Sequence, residues 1–237
     1  MLLVAVALLV AGCGGKNVSS TAPTATTTPT TTTAPAERTS FLVYTIDPAD
    51  GKLVATSVSV PKTEAVASMA LTTLAGIPGA KSDVPAGLHV TIANGAATVS
   101  GATLTGAAEA EVVYTLTQFP TITSVNGKTR ADVERYVPAI LVEHPSPDEQ
   151  VTSPLHVTGN ANTFEATFEY KLEDANGKIL AKGFTTATSG SGARGTFDFT
   201  IPFTIDSAQN GTLVVYESSA ENGAAINQRE IALRLTP

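Results

Sequence analysis

The chain has 237 residues, a formal charge of −7, one cysteine and no tryptophan. That balance argues against a nucleic-acid partner, because Lys128-Thr129-Arg130 is the nearest approach to a basic patch. Aromatic residues at 5% give little material for a sugar-stacking platform, and a single thiol cannot form an internal disulfide.

The ten residues from Leu2 to Ala11 are all apolar and run into Gly12-Cys13. As a helix they would rise roughly 15 Å, about half a bilayer core, which suits a secretory leader and not a membrane span. No Lys or Arg precedes the run, so an earlier start codon is expected. Val10-Ala11-Gly12-Cys13 resembles the lipobox of bacterial lipoproteins. The resemblance implies a signal peptide over 1–12 and a diacylglyceryl group on Cys13. It places the mature protein on the extracytoplasmic face of the cell membrane.

Residues 16–38 hold nine threonines between Thr21 and Thr33, with prolines at 23, 29 and 35. Too few apolar side chains are present to offset chain ordering, so 13–38 reads as the lipidated cysteine followed by a disordered tether.

Phe41 to Ile46 and Lys52 to Val60 read as strands around the turn residues Asp47-Pro-Ala-Asp50-Gly51. Thr63 is a candidate N-cap for a helix that buries Val66, Met69, Ala70 and Leu74 and stops at Gly76, Pro78 and Gly79. Leu88–Ile92 and Ala97–Val99 flank Asn94-Gly95, a strong hairpin signal. A second helix is expected from about Gly106 to Gln118, burying Val112, Val113, Leu116 and Phe119 on one side. Pro120 ends it, and Thr121–Val125 reads as a last strand. The order ββαββαβ predicts a small α/β sandwich with both helices on one face of one sheet. Leu74-Ala-Gly-Ile-Pro78-Gly79, Val84-Pro85-Ala-Gly87, Asn94–Val99 and above all Val113–Pro120 resemble the GerMN domain of spore-germination lipoproteins. That domain is assigned to 39–130.

Residues 131–137 read as a polar linker. Within it, Tyr136 either docks on a neighbouring domain or contacts a partner.

From Ala139 the period changes to two. Phe164, Ala166, Phe168, Tyr170 and Leu172 alternate with Glu165, Thr167, Glu169, Lys171 and Glu173, which predicts one half-buried strand. Phe197, Phe199, Ile201 and Phe203 alternate likewise, and Pro202 marks an edge or a bulge. With Ile140–Val142, Leu155–Gly159, Lys178–Thr186, Thr212–Glu217 and Arg229–Leu235, seven strands predict an immunoglobulin-like β-sandwich over 138–237. The fold class is therefore α+β in two domains. Ser153-Pro154-Leu155, Val157–Ala161, Phe164-Glu165-Ala166, Asp198-Phe199 and Tyr216–Ser219 resemble the immunoglobulin-like Gmad domain that often follows GerMN. The sandwich holds 6 basic and 12 acidic residues, against 5 and 6 in 39–130, so it carries nearly all of the negative charge.

Gly190-Ser-Gly192-Ala-Arg-Gly195 satisfies GxGxxG, but a strand and not a helix is expected after it. A dinucleotide would then lack the helix N-terminus it needs. Arg194 at the tip of this loop is a candidate partner contact. His89, His144 and His156 stand in or beside strands, and no serine has a nucleophile-elbow setting, so no hydrolytic site is read. No two histidines have helical metal spacing. Asp47, Asp50 and Asp174 are turn formers first and calcium ligands second. No catalytic residue, metal or cofactor is assigned, and Glu165, Glu169 and Glu173 read as a solvated acidic row.

These expectations describe a non-enzymatic envelope lipoprotein whose partners are the membrane, through Cys13, and envelope proteins or peptidoglycan. The GerMN and Gmad resemblances imply a link to spore germination or envelope assembly. A carbohydrate- or peptidoglycan-binding module is the alternative.

Overall fold

Arg38–Asp47 (β1) and Lys52–Pro61 (β2) pair antiparallel in unbroken register, from Arg38 opposite Pro61 to Asp47 opposite Lys52. Asp47 makes the turn between them: its carbonyl accepts from Gly51 N and its Oδ1 from Ala49 N, both at 2.9 Å. The computed structural model describes residues 36–77 and 82–237. The leader, Cys13, nearly all of the tether, Pro78 and Gly79 lie outside the described residues. Arg38, assigned to the tether, is already in β1.

Val66–Leu74 (α1) is capped by Ala65 and not by Thr63. The Thr63 hydroxyl accepts from Ala65 N and closes a local turn just before the helix. His89–Ala93 (β3) and Ala96–Ser100 (β4) form the expected hairpin, with Asn94 and Gly95 both at positive φ as a tight primed turn requires. Gly106–Leu116 (α2) follows. Ser124–Val125 (β5), only two residues long, pairs parallel to β4.

The strand and helix order is as predicted, but the single sheet is not. β1-β2 and β3-β4-β5 are separate sheets. The reason lies in α2 and the turn that follows it. Gln118 Oε1 accepts from Leu42 N (2.7 Å), Thr115 Oγ1 from Tyr44 N (3.1 Å) and Glu111 Oε1 from Ile46 N (2.8 Å). Side chains at i, i+4 and i+7 of one helical turn series thus replace the missing neighbour strand of β1. This also corrects the expected one-sided burial. Glu111 and Thr115 are as completely buried as Val112 and Leu116, because their stripe meets a strand edge and not solvent.

The linker is ordered as a 3-10 turn over Arg130–Tyr136, with Asp132 Oδ2 accepting from both Thr129 N and its hydroxyl at 2.8 Å. Eight strands then follow, not seven: Ile140–His144 (β6), Glu149–Val151 (β7), Leu155–Ala161 (β8), Thr167–Asp174 (β9), Ile179–Thr186 (β10), Gly195–Ile201 (β11), Gln209–Ser218 (β12) and Ala225–Leu235 (β13). They form a five-stranded sheet, β10-β9-β12-β13-β7, and a three-stranded sheet, β11-β8-β6. The added strand β7 pairs parallel to β13 for three residues, too short for any periodicity of its own.

Phe164, Glu165 and Ala166 are not the start of a strand. They turn, with Glu165 and Ala166 at positive φ and the Phe164 ring 67% exposed. Contacts from afar hold this turn. Buried Glu217 accepts from Phe164 N (2.8 Å), Ser191 Oγ accepts from Glu165 N, and Gly190 packs so close to Ala166 that a Cβ would stand 2.4 Å from its nitrogen.

Two apolar cores result. One gathers Val43, Leu53, Leu71, Leu74, Val112 and Leu116; the other gathers Val157, Phe168, Leu172, Phe197, Leu213 and Leu233. β6 serves both, because Leu141 enters the first core while Ile140 and Val142 enter the second. A strand with each face in a different core makes the two halves one packed unit.

Candidate functional site: a cleft between the cores

Tyr114 of α2 is fully buried, its ring set edge-on to Tyr44 of β1 at 5.3 Å. The Arg130 guanidinium lies over both rings, 4.5 Å from the Tyr114 centroid and 5.8 Å from that of Tyr44. Its Nε donates to Thr117 Oγ1 (2.9 Å) and its Nη2 reaches the Tyr114 carbonyl only at 3.5 Å. Nη1 faces Glu143 Oε1 at 3.8 Å, beyond hydrogen-bond reach. Glu143 in turn accepts from Tyr44 OH (2.6 Å) and Asn160 Nδ2 (3.1 Å).

Arg194 completes the far wall. Its Nε and Nη2 donate to Glu134 (3.0 and 2.7 Å), Nη2 also to the Pro138 carbonyl (2.9 Å), and Nη1 to Asn160 Oδ1 (3.0 Å) and the Asn160 carbonyl (3.4 Å). All five N–H donors of that guanidinium have partners within the chain. Between these walls lies a cleft of about 520 Å³, lined by Tyr114, Arg130, Glu134, Asn160, Asn162 and Arg194 together with Gly192, Gly195 and Thr196.

Burial sets the state of both phenols. Tyr44 is raised far above its usual range, first by burial and then by the Glu143 carboxylate, so it remains the donor in their hydrogen bond. Burial pushes Tyr114 up to about 12, against the nearby positive charges of Arg194 and Arg130. The Tyr114 hydroxyl is buried without a hydrogen-bond partner among the described residues.

The residues singled out in the sequence are distributed unevenly around this site. Arg194 is in it, with its side chain only 15% exposed. Tyr136 is not: it packs on the first core, its ring under Arg135 and its hydroxyl accepting from Arg135 Nη2 at 2.9 Å. Cys13 lies outside the described residues. The Gly190–Gly195 loop leads into strand β11, and Gly190 and Gly195 are needed for close backbone approach, each leaving under 2.5 Å for a Cβ.

Asp47 and Asp50 meet Arg229 of β13, an ion-paired tie between the β1-β2 turn and the second sheet. Asp174 Oδ1 accepts from Asn176 N and Lys178 N, which is turn chemistry. The acidic row is broken: Glu165 leaves it in the turn, Glu173 pairs with Lys171 (2.7 Å), and Glu169 accepts from Tyr216 OH (3.0 Å) and Ser218 OH. His144 and His156 meet across β6 and β8 with rings 5.8 Å apart, each beside a carboxylate. These partners are Glu149 at 3.5 Å and Asp198 at 2.7 Å. Among the described residues no group of three or more such side chains is arranged to hold a metal.

Tyr114, Arg130, Glu134 and Asn160 escape a reading of the sequence because no two of them share a local pattern. The one available signal is the polar string Tyr114-Thr115-Leu116-Thr117-Gln118 in a helix otherwise expected to be apolar on its inner side.

Residues 139–224 match the immunoglobulin-like domain of bacterial spore germination, Gmad2. No curated protein matches the chain. Among solved structures it is similar to CopC from Methylosinus trichosporium OB3b, at 14% identity and a TM-score of 0.26. That match covers 39% of this chain and 87% of the other. It is also similar to WR4, a C. elegans MSP family member, at 15% identity and a TM-score of 0.24, over 42% and 97% of the two chains.

Proposed function

We propose that the chain is a non-enzymatic interaction protein of the bacterial envelope, linked to spore germination or envelope assembly. In this reading a diacylglyceryl group on Cys13 holds it at the extracytoplasmic membrane face, where it engages envelope proteins or peptidoglycan. The observation that supports it best is the match of residues 139–224 to the germination-associated immunoglobulin-like domain. No helix among the described residues is long and apolar enough to cross a membrane, and the anchor proposed is a lipid. Residues 39–130 are the GerMN-like module of this proposal, on the strings quoted above and on their strand and helix order. The contact face is the free edge of β10, which carries Phe184 (73% exposed) and Ile179 (46% exposed) and is open to strand addition.

One observation favours the sugar-binding alternative. Phe184 stands opposite Glu169, which stands opposite Tyr216, so two aromatic side chains flank a carboxylate on one sheet face. Crosslinking in intact cells decides between them. Capture of envelope proteins, reduced by Phe184→Lys, supports the first reading; capture of glycan strands alone reverses it.

A further inference from the structure

Two of the chain's three histidines, twelve residues apart, share one exposed patch. Strand β8 sends Leu155 and Val157 into the second core, so His156 and Thr158 face outward. By strict alternation His144 would follow Val142 into that core. It does not, because Val142 stands opposite Gly159 and His144 opposite Thr158, with Glu143 as the extra residue of a bulge. The bulge turns His144 to the outer face, diagonal to His156, and the two rings stand 5.8 Å apart. Their side chains are 39% and 51% exposed, so an ion in solution can reach both.

Each ring is oriented by a carboxylate. His156 Nε2 meets Asp198 Oδ1 at 2.7 Å, and His144 Nδ1 faces Glu149 Oε2 at 3.5 Å. An ionised carboxylate only accepts, so the proton sits on those two nitrogens and the lone pairs fall on His144 Nε2 and His156 Nδ1. Neither of these has a hydrogen-bond partner among the described residues. No lysine or arginine among them pairs with Glu149 or Asp198, so the patch is net negative when both rings are neutral.

We infer that His144 and His156 together chelate one divalent transition-metal ion of the zinc type, with water in the remaining positions. Metal–nitrogen bonds of about 2.0–2.1 Å set the centres of two imidazoles on one ion roughly 5–6 Å apart, which the observed spacing meets. An imidazole whose second nitrogen is held by a carboxylate is the usual form of a metal-bound histidine, and Asp198 and Glu149 supply that hold. Imidazole donors favour zinc, copper or nickel over magnesium or calcium. Two protein ligands leave the ion open to a further ligand from outside the chain. This assignment does not depend on where the protein resides or on what it contacts through its sheet edges.

The test is a titration of the untagged full chain carrying Cys13→Ser, which removes the sole thiol, with zinc chloride and, separately, magnesium chloride. Histidine ring resonances are followed by NMR, and His89 of β3 is the internal control. Zinc should saturate at one ion per chain, moving the His144 and His156 signals together and leaving His89 in place. Magnesium should move none of them. His144→Ala and His156→Ala should each weaken zinc binding tenfold or more, since even loss of a supporting carboxylate costs about 10–100-fold. Asp198→Asn should weaken it about tenfold with little change in the urea midpoint, because an exposed pair adds little stability. Three outcomes overturn the assignment: full zinc affinity in either histidine variant, zinc bound no more tightly than magnesium, or a His89 shift in step with the pair, the mark of an adventitious ion only.

Discussion

Arg194 and Glu134, sixty residues apart, meet through two guanidinium nitrogens at 2.7 and 3.0 Å. The pair joins the loop before β11 to the 3-10 turn that connects the cores, and the same guanidinium holds Asn160 of β8 and the Pro138 carbonyl. The chain is thereby tied across its two halves by a charge-assisted pair.

Arg194→Ala should lower unfolding stability by about 2–3 kcal/mol, since it strands Glu134 and a carbonyl that lose charge-assisted hydrogen bonds. Arg194→Lys should recover only part of this, because a single ammonium cannot reproduce a five-donor fork. Urea titration of the two variants checks the order. Equal stability of the lysine variant and the parent chain contradicts the strut.

Glu111 makes stability depend on pH. Burial raises its carboxyl above the usual range, while the bonds from Ile46, Ser82 and Asp83 act the other way. The folded state therefore keeps a proton over a window in which the unfolded chain has released it. This contribution is full below the unfolded value of about 4.3 and is lost as pH rises through the raised folded value. The stability of the parent chain relative to Glu111→Gln should decline from pH 4 to pH 8. A difference that grows with pH contradicts the direction of the shift.

Gly159 in the middle of β8 has no room for a methyl group. A Cβ would stand 2.1 Å from the Leu141 carbonyl and 2.6 Å from Phe197 Cζ. Gly159→Ala should cost about 3 kcal/mol through overpacking, read as a drop in thermal midpoint. Gly177, whose Cβ would meet nothing but whose φ is +77°, is the contrast, and Gly177→Asn should be nearly neutral.

Cys13→Ser should move the protein from the membrane fraction to the medium, because a diacyl group gives stable anchoring where its absence leaves none. Unchanged membrane retention on fractionation removes the lipid from the proposal.

The sequence yields those features that neighbouring residues fix among themselves. Asn94-Gly95 and Asn176-Gly177 mark turns because glycine takes the positive φ there, and Phe197, Phe199 and Ile201 mark β11 because a strand alternates its faces. The same local logic failed at Phe164, which keeps the alternation but turns outward. Glu217 and the Gly190 loop, distant in the chain, hold its backbone. It failed at β7 because three residues become a strand only when β13 arrives beside them.

By itself, then, the sequence determined the turns, the strand periodicity, both helices and the lipobox resemblance, all of which rest on residues within a few positions of one another. Only the tertiary structure decided that α2 caps the edge of β1, that β6 divides its faces between two cores, and that Tyr114, Arg130 and Arg194 meet around one cleft. The physical reason is that a buried hydrogen-bonding group must find a partner somewhere in the fold. Which partner it finds depends on how distant segments pack, and nothing in a local pattern records that choice.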